Sequence, residues 1–368
     1  MKIEQLKITN FKKFETLEID FTNKATLEVA DEFLILGDNG SGKTTVLQAI
    51  ALCLSLASYR TRGVEDFDWL GWISARYQRW GKPRIELTVH FSQDEMEATR
   101  DAAQRWWYSL NDSQRQGGFR SPSSNDVVRL RLQGDRFEND QEELYQFRGR
   151  SYASMLLATD PSARELFGRL PGVFWFDQFR NLASPQGARE LDNGKAEQEP
   201  SSRMSYAVGV SRLRDYLNRW KLEKISRGAY RGKHDYLLEL ENMYKKIFPG
   251  RSFSDPEPMF EAGVPAPANY FFMISDGYRT YDIEEMSAGE QAVFPILYEF
   301  VRQQIKNSVV LIDEIDLNLH PSLAQALVKS LFQVGPGCQF ILTTHSQAVI
   351  NLVSPEEIHR FTEGQLCL

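Results

Sequence analysis

Eight consecutive residues, Gly37-Asp38-Asn39-Gly40-Ser41-Gly42-Lys43-Thr44, interleave glycines with small polar residues and end in a lysine and a threonine. The G-x-x-x-x-G-K-[ST] spacing suits the capture of a chain of phosphates. Glycines let backbone N–H groups turn inward around the oxygens, and the amino terminus of a following helix adds its positive dipole. Lys43 would neutralise the β- and γ-oxygens, while Thr44 offers a hydroxyl to Mg2+. A second constellation lies far along the chain, where the apolar run Val309-Val310-Leu311-Ile312 ends in Asp313-Glu314. A strand that ends in two carboxylates sets them at the carboxyl edge of a sheet, where α/β folds hold ligands. There Asp313 would hold the magnesium, directly or through water, and Glu314 would polarise an attacking water as general base. An acidic pair after a strand can also cap a helix; the phosphate loop upstream favours the chemical role.

Such residues need a strand, a tight loop and a helix in that order. Phe33-Leu34-Ile35-Leu36 reads as the strand, and Thr44 to Leu56, rich in helix formers and apolar throughout, reads as a helix packed under a sheet. Two earlier strands are expected around a turn at Asn10 to Phe14, marked by Ile3, Leu6 and Ile8 and then by the alternation Leu17, Ile19, Phe21. Gln339-Phe340-Ile341-Leu342 joins Val309 to Ile312 as a short, largely apolar run typical of buried parallel strands. Arg84 to Phe91 is a further strand, and Glu95 to Leu110, Val210 to Ile225 and Tyr236 to Ile247 carry helical patterns. Ser184 to Ser205 is rich in Pro, Gly, Ser, Gln and charge without apolar periodicity, as a linker is. The expected organisation is a lobe over residues 1–180 with an insertion at about 59–170, a linker and helical lid over 181–285, and a segment over 286–368 that completes the core.

Composition sets outer limits. The chain has 368 residues, 42% hydrophobic and 25% charged, enough for a large core in one domain or two lobes. No apolar stretch approaches the roughly 20 residues of a membrane helix, and the amino terminus lacks a secretory apolar run, so a cytoplasmic protein is expected. Cys53, Cys338 and Cys367 are scattered and form no CxxC pair, which points to neither disulfides nor zinc. A net charge of −7 argues against a basic coat for nucleic acid but leaves room for a local basic patch.

Met286-Ser287-Ala288-Gly289-Glu290-Gln291 is of the S-x-G-[EQ] kind. Together with the two constellations above, it makes most of the sequence resemble the heads of ABC-type ATPases, in particular their RecF, SMC and OLD-like branch. The resemblance implies an α/β P-loop NTPase with a mixed central sheet and a compact helical lid, ATP and Mg2+ as cofactors, and two heads that sandwich ATP. Asp38, Asn39, Gly40, Ser41, Gly42, Lys43, Thr44 and Thr45 would cradle the nucleotide. Ser287 and Gly289, with Glu290, would meet the γ-phosphate of nucleotide held by the opposite subunit; an ordinary N-capped helix beginning at Ser287 has the same local geometry. Thr343-Thr344-His345-Ser346 is similar to the family's switch segment, which would bring His345 to the γ-phosphate. Gln178, after the apolar run Val173 to Phe176, resembles the Q-loop glutamine that senses Mg2+, or is a plain loop residue. Asp316 to Pro321 occupies the D-loop position, and its Leu319-His320-Pro321 ending resembles stand-alone bacterial ATPases. Ile8-Thr9-Asn10-Phe11-Lys12-Lys13-Phe14 resembles the opening of RecF and SMC heads, where a basic residue reaches the nucleotide; Lys12 or Lys13 would do so here, or they are a solvated pair in a turn.

About a hundred residues separate Gln178 from Ser287, too few for SMC-type coiled-coil arms, so the lid should be compact. Within it, Arg212 to Lys233 carries eight basic residues interleaved with Tyr216, Trp220 and Tyr230. That mixture suits the backbone and bases of DNA or RNA, and it equally suits a solvated helix face whose aromatics pack inward. The resemblance implies an ATP-hydrolysing switch that dimerises around ATP in DNA-associated genome maintenance or phage defence and controls a separate nuclease or toxin, with no membrane involved. A transporter's ATPase subunit would use the same phosphate chemistry, but the NFKKF opening, the LHP ending and the long insertions weigh against it. A non-hydrolysing ATP-gated scaffold would have no need of Glu314.

Overall fold

Strands buried on both faces read as unbroken apolar runs, and such runs lie side by side in the computed structural model, which describes residues 1–67, 69, 72–115, 118–177, 213–222, 235–259 and 270–361. The strands, in chain order, are β1 (Lys2–Phe11), β2 (Phe14–Asp20), β3 (Glu32–Leu36), β4 (Arg84–His90), β5 (Val127–Gln133), β6 (Arg136–Phe137), β7 (Val173–Phe176), β8 (Ser252–Phe253), β9 (Glu257–Pro258), β10 (Tyr270–Phe271), β11 (Met273–Ser275), β12 (Thr280–Asp282), β13 (Val309–Ile312), β14 (Gln339–Thr343) and β15 (Ile358–Arg360). One five-stranded sheet has the order β15-β3-β14-β13-β7, and every neighbouring pair in it is parallel. The other has the order β2-β1-β4-β5-β6 and is antiparallel throughout. The mixture of strand directions expected of this fold is thus divided between two sheets.

Register in the parallel sheet decides where the chemistry sits. Leu311 pairs with Ile341 on one side and Trp175 on the other, and Ile341 pairs with Phe33. The chain therefore leaves β3 at Gly37, β13 at Asp313, β14 at Thr344 and β7 at Asp177 along one common edge. Side chains alternate between two cores. Phe33, Ile35, Leu311 and Ile341 enter the core shared with the antiparallel sheet, whereas Leu34, Leu36, Ile312 and Leu342 enter the core formed with the lid-side helices.

The helix Lys43–Ala57 lies in the first of these cores between the two sheets, which is why it is apolar nearly all round. The stretch expected as an insertion supplies β4, β5 and β6, with β4 pairing directly with β1. It also supplies the helices Gln93–Ser109 and Gly149–Leu156, which close on a small core of their own through Ala98, Ala102 and Ala153. The second core takes the helices Tyr236–Ile247, Ala288–Gln303 and Pro321–Val334. Among the described residues no helix is long and apolar enough to cross a membrane, and the longest in the lid region, Tyr236–Ile247, has 12 residues.

Gln339 joins the sheets. Its side chain is fully buried, accepts from Ile3 N–H at 2.7 Å and donates to the carbonyls of Ile3 at 2.8 Å and Ala30 at 3.1 Å. Gln339→Leu keeps the approximate volume and strands all three backbone groups without partners. The expected loss is about 2–4 kcal/mol of folding stability. Chemical denaturation checks it, and an unchanged midpoint would mean that the sheets are held by packing alone.

Candidate active site

The phosphate loop connects β3 to the helix Lys43–Ala57, and its shape depends on Gly42. This residue has φ +106°, and a Cβ there would sit 2.4 Å from Cζ of Phe14. The Phe14 ring lies under the loop and stacks on Phe361 at 5.8 Å between centroids. Because the helix begins on a glycine, no side chain caps its first N–H groups. Lys43 is 6% exposed, and its ammonium donates to the loop carbonyls of Gly37 at 2.8 Å and Asp38 at 3.1 Å. Burial pushes the Lys43 ammonium below its ordinary value, against the pull of Glu314, Asp313, Asp38 and Asp316. Ser41 Oγ is buried without a hydrogen-bond partner among the described residues. An uncapped helix start, a lysine lodged on loop carbonyls and an orphaned hydroxyl together fit a polyphosphate.

Both oxygens of Asp313, 1% exposed, are held. Thr44 Oγ1 donates to Oδ2 at 2.7 Å and Thr343 Oγ1 donates to Oδ1 at 2.6 Å. Because Thr44 spends its proton on the carboxylate, its oxygen lone pairs remain for a cation. A hydroxyl and a carboxylate side by side form the hard oxygen pair that Mg2+ accepts beside phosphate oxygens and water, so the residues present fit that ion. Glu314 is half-buried and has φ +48°, in the left-handed region that side chains with a Cβ seldom adopt. Its N–H donates to Thr343 Oγ1 at 2.7 Å. His345, exposed, lies two residues past the end of β14. Next to it, Thr344 Oγ1 donates to Asp316 of the D-loop and accepts from Ser346 N–H.

The signature residues sit at the start of the helix Ala288–Gln303. Ser287 is its N-cap, and Glu290 closes a capping box, with Ser287 N–H donating to Oε2 at 2.9 Å. Ser287 is exposed, and a Cβ on Gly289 would lie 3.6 Å from both Asn318 O and Leu319 Cδ2, so the signature turn rests on the D-loop. Glu290 differs from its neighbours: it is 3% exposed and accepts from Tyr244 and Tyr281 hydroxyls, each at 2.6 Å, and from Arg251 Nε at 3.2 Å. Its carboxylate is engaged inside its own chain rather than offered to a ligand. Burial opposes its charge, yet the bonds from Tyr244, Tyr281 and Ser287 hold its pKa at about 2.

Lys12 and Lys13 follow different courses from the β1–β2 turn, where Asn10 and Lys12 both have φ +53°. Lys13 donates to the Gly40 carbonyl on the phosphate loop. Lys12 donates to Gln48 and lies 5.5 Å from the Trp72 ring centre; burial pushes its pKa down to about 8. Neither is a plain solvated lysine. Gln178 falls outside the described residues, as do Arg212 and residues 223–234 of the basic segment. In the described part, residues 213–222, the aromatics pack inward: Trp220 stacks on Tyr236 at 5.6 Å, and Tyr216 lies 6.4 Å from Tyr298. Arg214 is buried on Asp282 and Glu284, and Lys221 pairs with Asp255. Over these residues the segment is a helix whose aromatics and Arg214 pack inward while Arg219 is exposed.

Thr343 and Thr344 were missed from the sequence, although pairing Ile312 with Leu342 sets Thr343 directly beside Asp313.

Residues 119–351, more than half of the chain, match the family model described as "AAA domain, putative AbiEii toxin, Type IV TA system". The chain belongs to this family. Residues 1–141, with the phosphate loop, match a second model described as "AAA ATPase domain". Among curated relatives of this AAA-domain protein, the Retron Ec83 probable ATPase of Escherichia coli is 23% identical over 99% of this chain and 72% of its own length. The Septu protein PtuA of Bacillus mycoides is 22% identical over 94% of this chain and 38% of its own length. The DNA replication and repair protein RecF of Heliobacterium modesticaldum is 26% identical over 100% and 99%. Among solved structures, an Smc head bound to the C-winged helix domain of ScpA aligns with 95% of this chain and 92% of its own, at 16% identity and a TM-score of 0.47. The AAA-domain chain is an ATPase.

Two outcomes follow from the site. Lys43→Ala removes the buried ammonium and should weaken ATP binding about 10- to 100-fold, read by equilibrium titration of a fluorescent ATP analogue; wild-type affinity would sink the phosphate-loop assignment. Glu290, held at about 2 against an ordinary value of 4.5, contributes stability that is complete above pH 4.5 and disappears as pH falls toward about 2. The stability advantage of wild type over Glu290→Gln should therefore shrink between pH 6 and pH 3 in denaturant titrations, and a gap constant with pH would contradict the buried charge.

Proposed function

We propose that this ATPase is a switch whose two copies close head to head around ATP and Mg2+ and reopen on hydrolysis. In this reading Lys43 and the loop residues Asp38 to Thr45 hold the phosphates, Thr44 and Asp313 hold the magnesium with Gln178 nearby, Glu314 is the general base, and His345 contacts the γ-phosphate. Lys13, seated on the Gly40 carbonyl, and Lys12 flank the nucleotide. Ser287 and Gly289 act on nucleotide in the other copy, while Glu290 serves the helix that presents them.

The observation that carries the reading is a division of labour. One chain gathers the phosphate loop, Asp313 and Glu314 at a single sheet edge, yet it presents Ser287 outward on a turn backed by its own D-loop. A second copy would complete the site, and contact at the γ-phosphate would make closure depend on ATP. The relatives named for retrons, for Septu and for DNA replication and repair support a role in phage defence or DNA maintenance through a separate effector, a nuclease or toxin. For the domain plan, we assign residues 1–180 and 286–368 to one ATPase core and 181–285 to the linker and lid.

Glu314→Gln should bind ATP normally, lose about 10²–10⁴-fold in turnover, and accumulate as an ATP-dependent dimer in light scattering. A variant that stays monomeric with ATP, at concentrations where nucleotide is bound, would remove the head-to-head switch while leaving the ATPase in place.

A further inference from the structure

We propose that Thr343 is a positioning residue for hydrolysis, its hydroxyl fixing at once the carboxylate of Asp313 and the backbone of Glu314. A hydroxyl has one proton to give and two lone pairs to accept with. Thr343 gives its proton to Asp313 Oδ1 at 2.6 Å and takes the Glu314 N–H at 2.7 Å. The Thr343 carbonyl takes the next amide as well, that of Ile315, at 3.0 Å. Three consecutive residues past the end of β13 are therefore fastened to one residue at the end of β14: Asp313 by its side chain, Glu314 and Ile315 by their backbones.

The clamp matters because of what it restrains. Glu314 sits at φ +48°, a conformation that a residue with a Cβ keeps only when its surroundings impose it. That turn aims the carboxylate of the proposed base, and displacing a base by about 1 Å can cost on the order of a hundredfold in rate. Thr343 itself is fully buried, so no water can stand in for a lost hydroxyl without repacking. The phosphate loop, which would carry most of the affinity for nucleotide, makes none of these contacts except Thr44 on the other oxygen of Asp313.

The inference rests on Glu314 acting as the base, and the experiment separates the two. In the full chain, Thr343→Val, Thr343→Ser and Glu314→Gln are compared for steady-state ATP turnover, for affinity toward a fluorescent ATP analogue, and for amide exchange across residues 313–315 without nucleotide. Thr343→Val should lower kcat about 10- to 100-fold with KM and affinity within about threefold, and should accelerate exchange at Glu314. Thr343→Ser, which keeps the hydroxyl, should recover most of both. Wild-type kcat or unaltered exchange in Thr343→Val overturns the clamp, and if that variant does not fold, the same readings are taken on Thr343→Cys, whose thiol is a weak donor. Turnover retained in Glu314→Gln overturns the base assignment instead, while the exchange measurement still decides whether Thr343 holds the turn.

Discussion

Asp313 has two carboxylate oxygens, and the parallel sheet delivers a different hydroxyl to each. Thr44 arrives from the phosphate loop after β3 and Thr343 from the end of β14, so one side chain ties together the three central strands β3, β14 and β13. The arrangement works only in one register. Sliding β14 by one residue against β13 would turn Thr343 to the other face and replace it with Leu342 or Thr344. The apolar pairing of Val310 with Phe340 and Leu311 with Ile341 protects that register, because a slip would also carry side chains from one core into the other. The chemistry at the sheet edge is therefore specified by packing several residues away from it.

Lys43 feels the same constraint from the opposite side. The helix it opens is buried between two sheets, which leaves little water for an ammonium and lowers its affinity for a proton. Nearby Glu314, Asp313, Asp38 and Asp316 offset this by favouring the charged form. The ammonium donates to the Gly37 and Asp38 carbonyls, which keeps this buried cation satisfied at the mouth of the loop.

Much of this was legible in the sequence because it is local. The phosphate loop, the strand before it and the helix after it are contiguous, and Val309 to Ile312 and Val173 to Phe176 occupy β13 and β7 as the apolar runs suggest. What was not legible depends on pairing across distance. Arg84 to Phe91 reads as a strand on its own, but nothing local says that Leu87 pairs with Leu6 and Leu130, so the stretch that reads as an insertion supplies the middle strand of a sheet. Glu290 shows a different limit. The letters of a signature motif do not say which way a side chain points, although Ser287 and Glu290 also have capping-box spacing, which points the glutamate back to its own helix. The described part of the basic segment shows a related limit: Trp220 and Arg214 have residue types that suit a nucleic-acid surface, and only a partner such as Tyr236 or Asp282 reveals that these two face inward.

Glu290 is also where the lid and the site meet. Its carboxylate caps Ser287 while accepting from Tyr244 on the helix Tyr236–Ile247, from Tyr281 on β12 and from Arg251 beside β8. Each partner belongs to a separate element of the lid region, so the element that orients the signature serine is anchored by all of them together. A buried carboxylate cannot lose one donor cheaply, since the charge would remain in a low-dielectric setting with one fewer proton to accept. Movement of the lid helix relative to β12 therefore either carries the signature turn with it or leaves a buried charge short of a partner. The first course costs less, and it makes the outward presentation of Ser287 a property of the lid as a whole rather than of the turn that bears it.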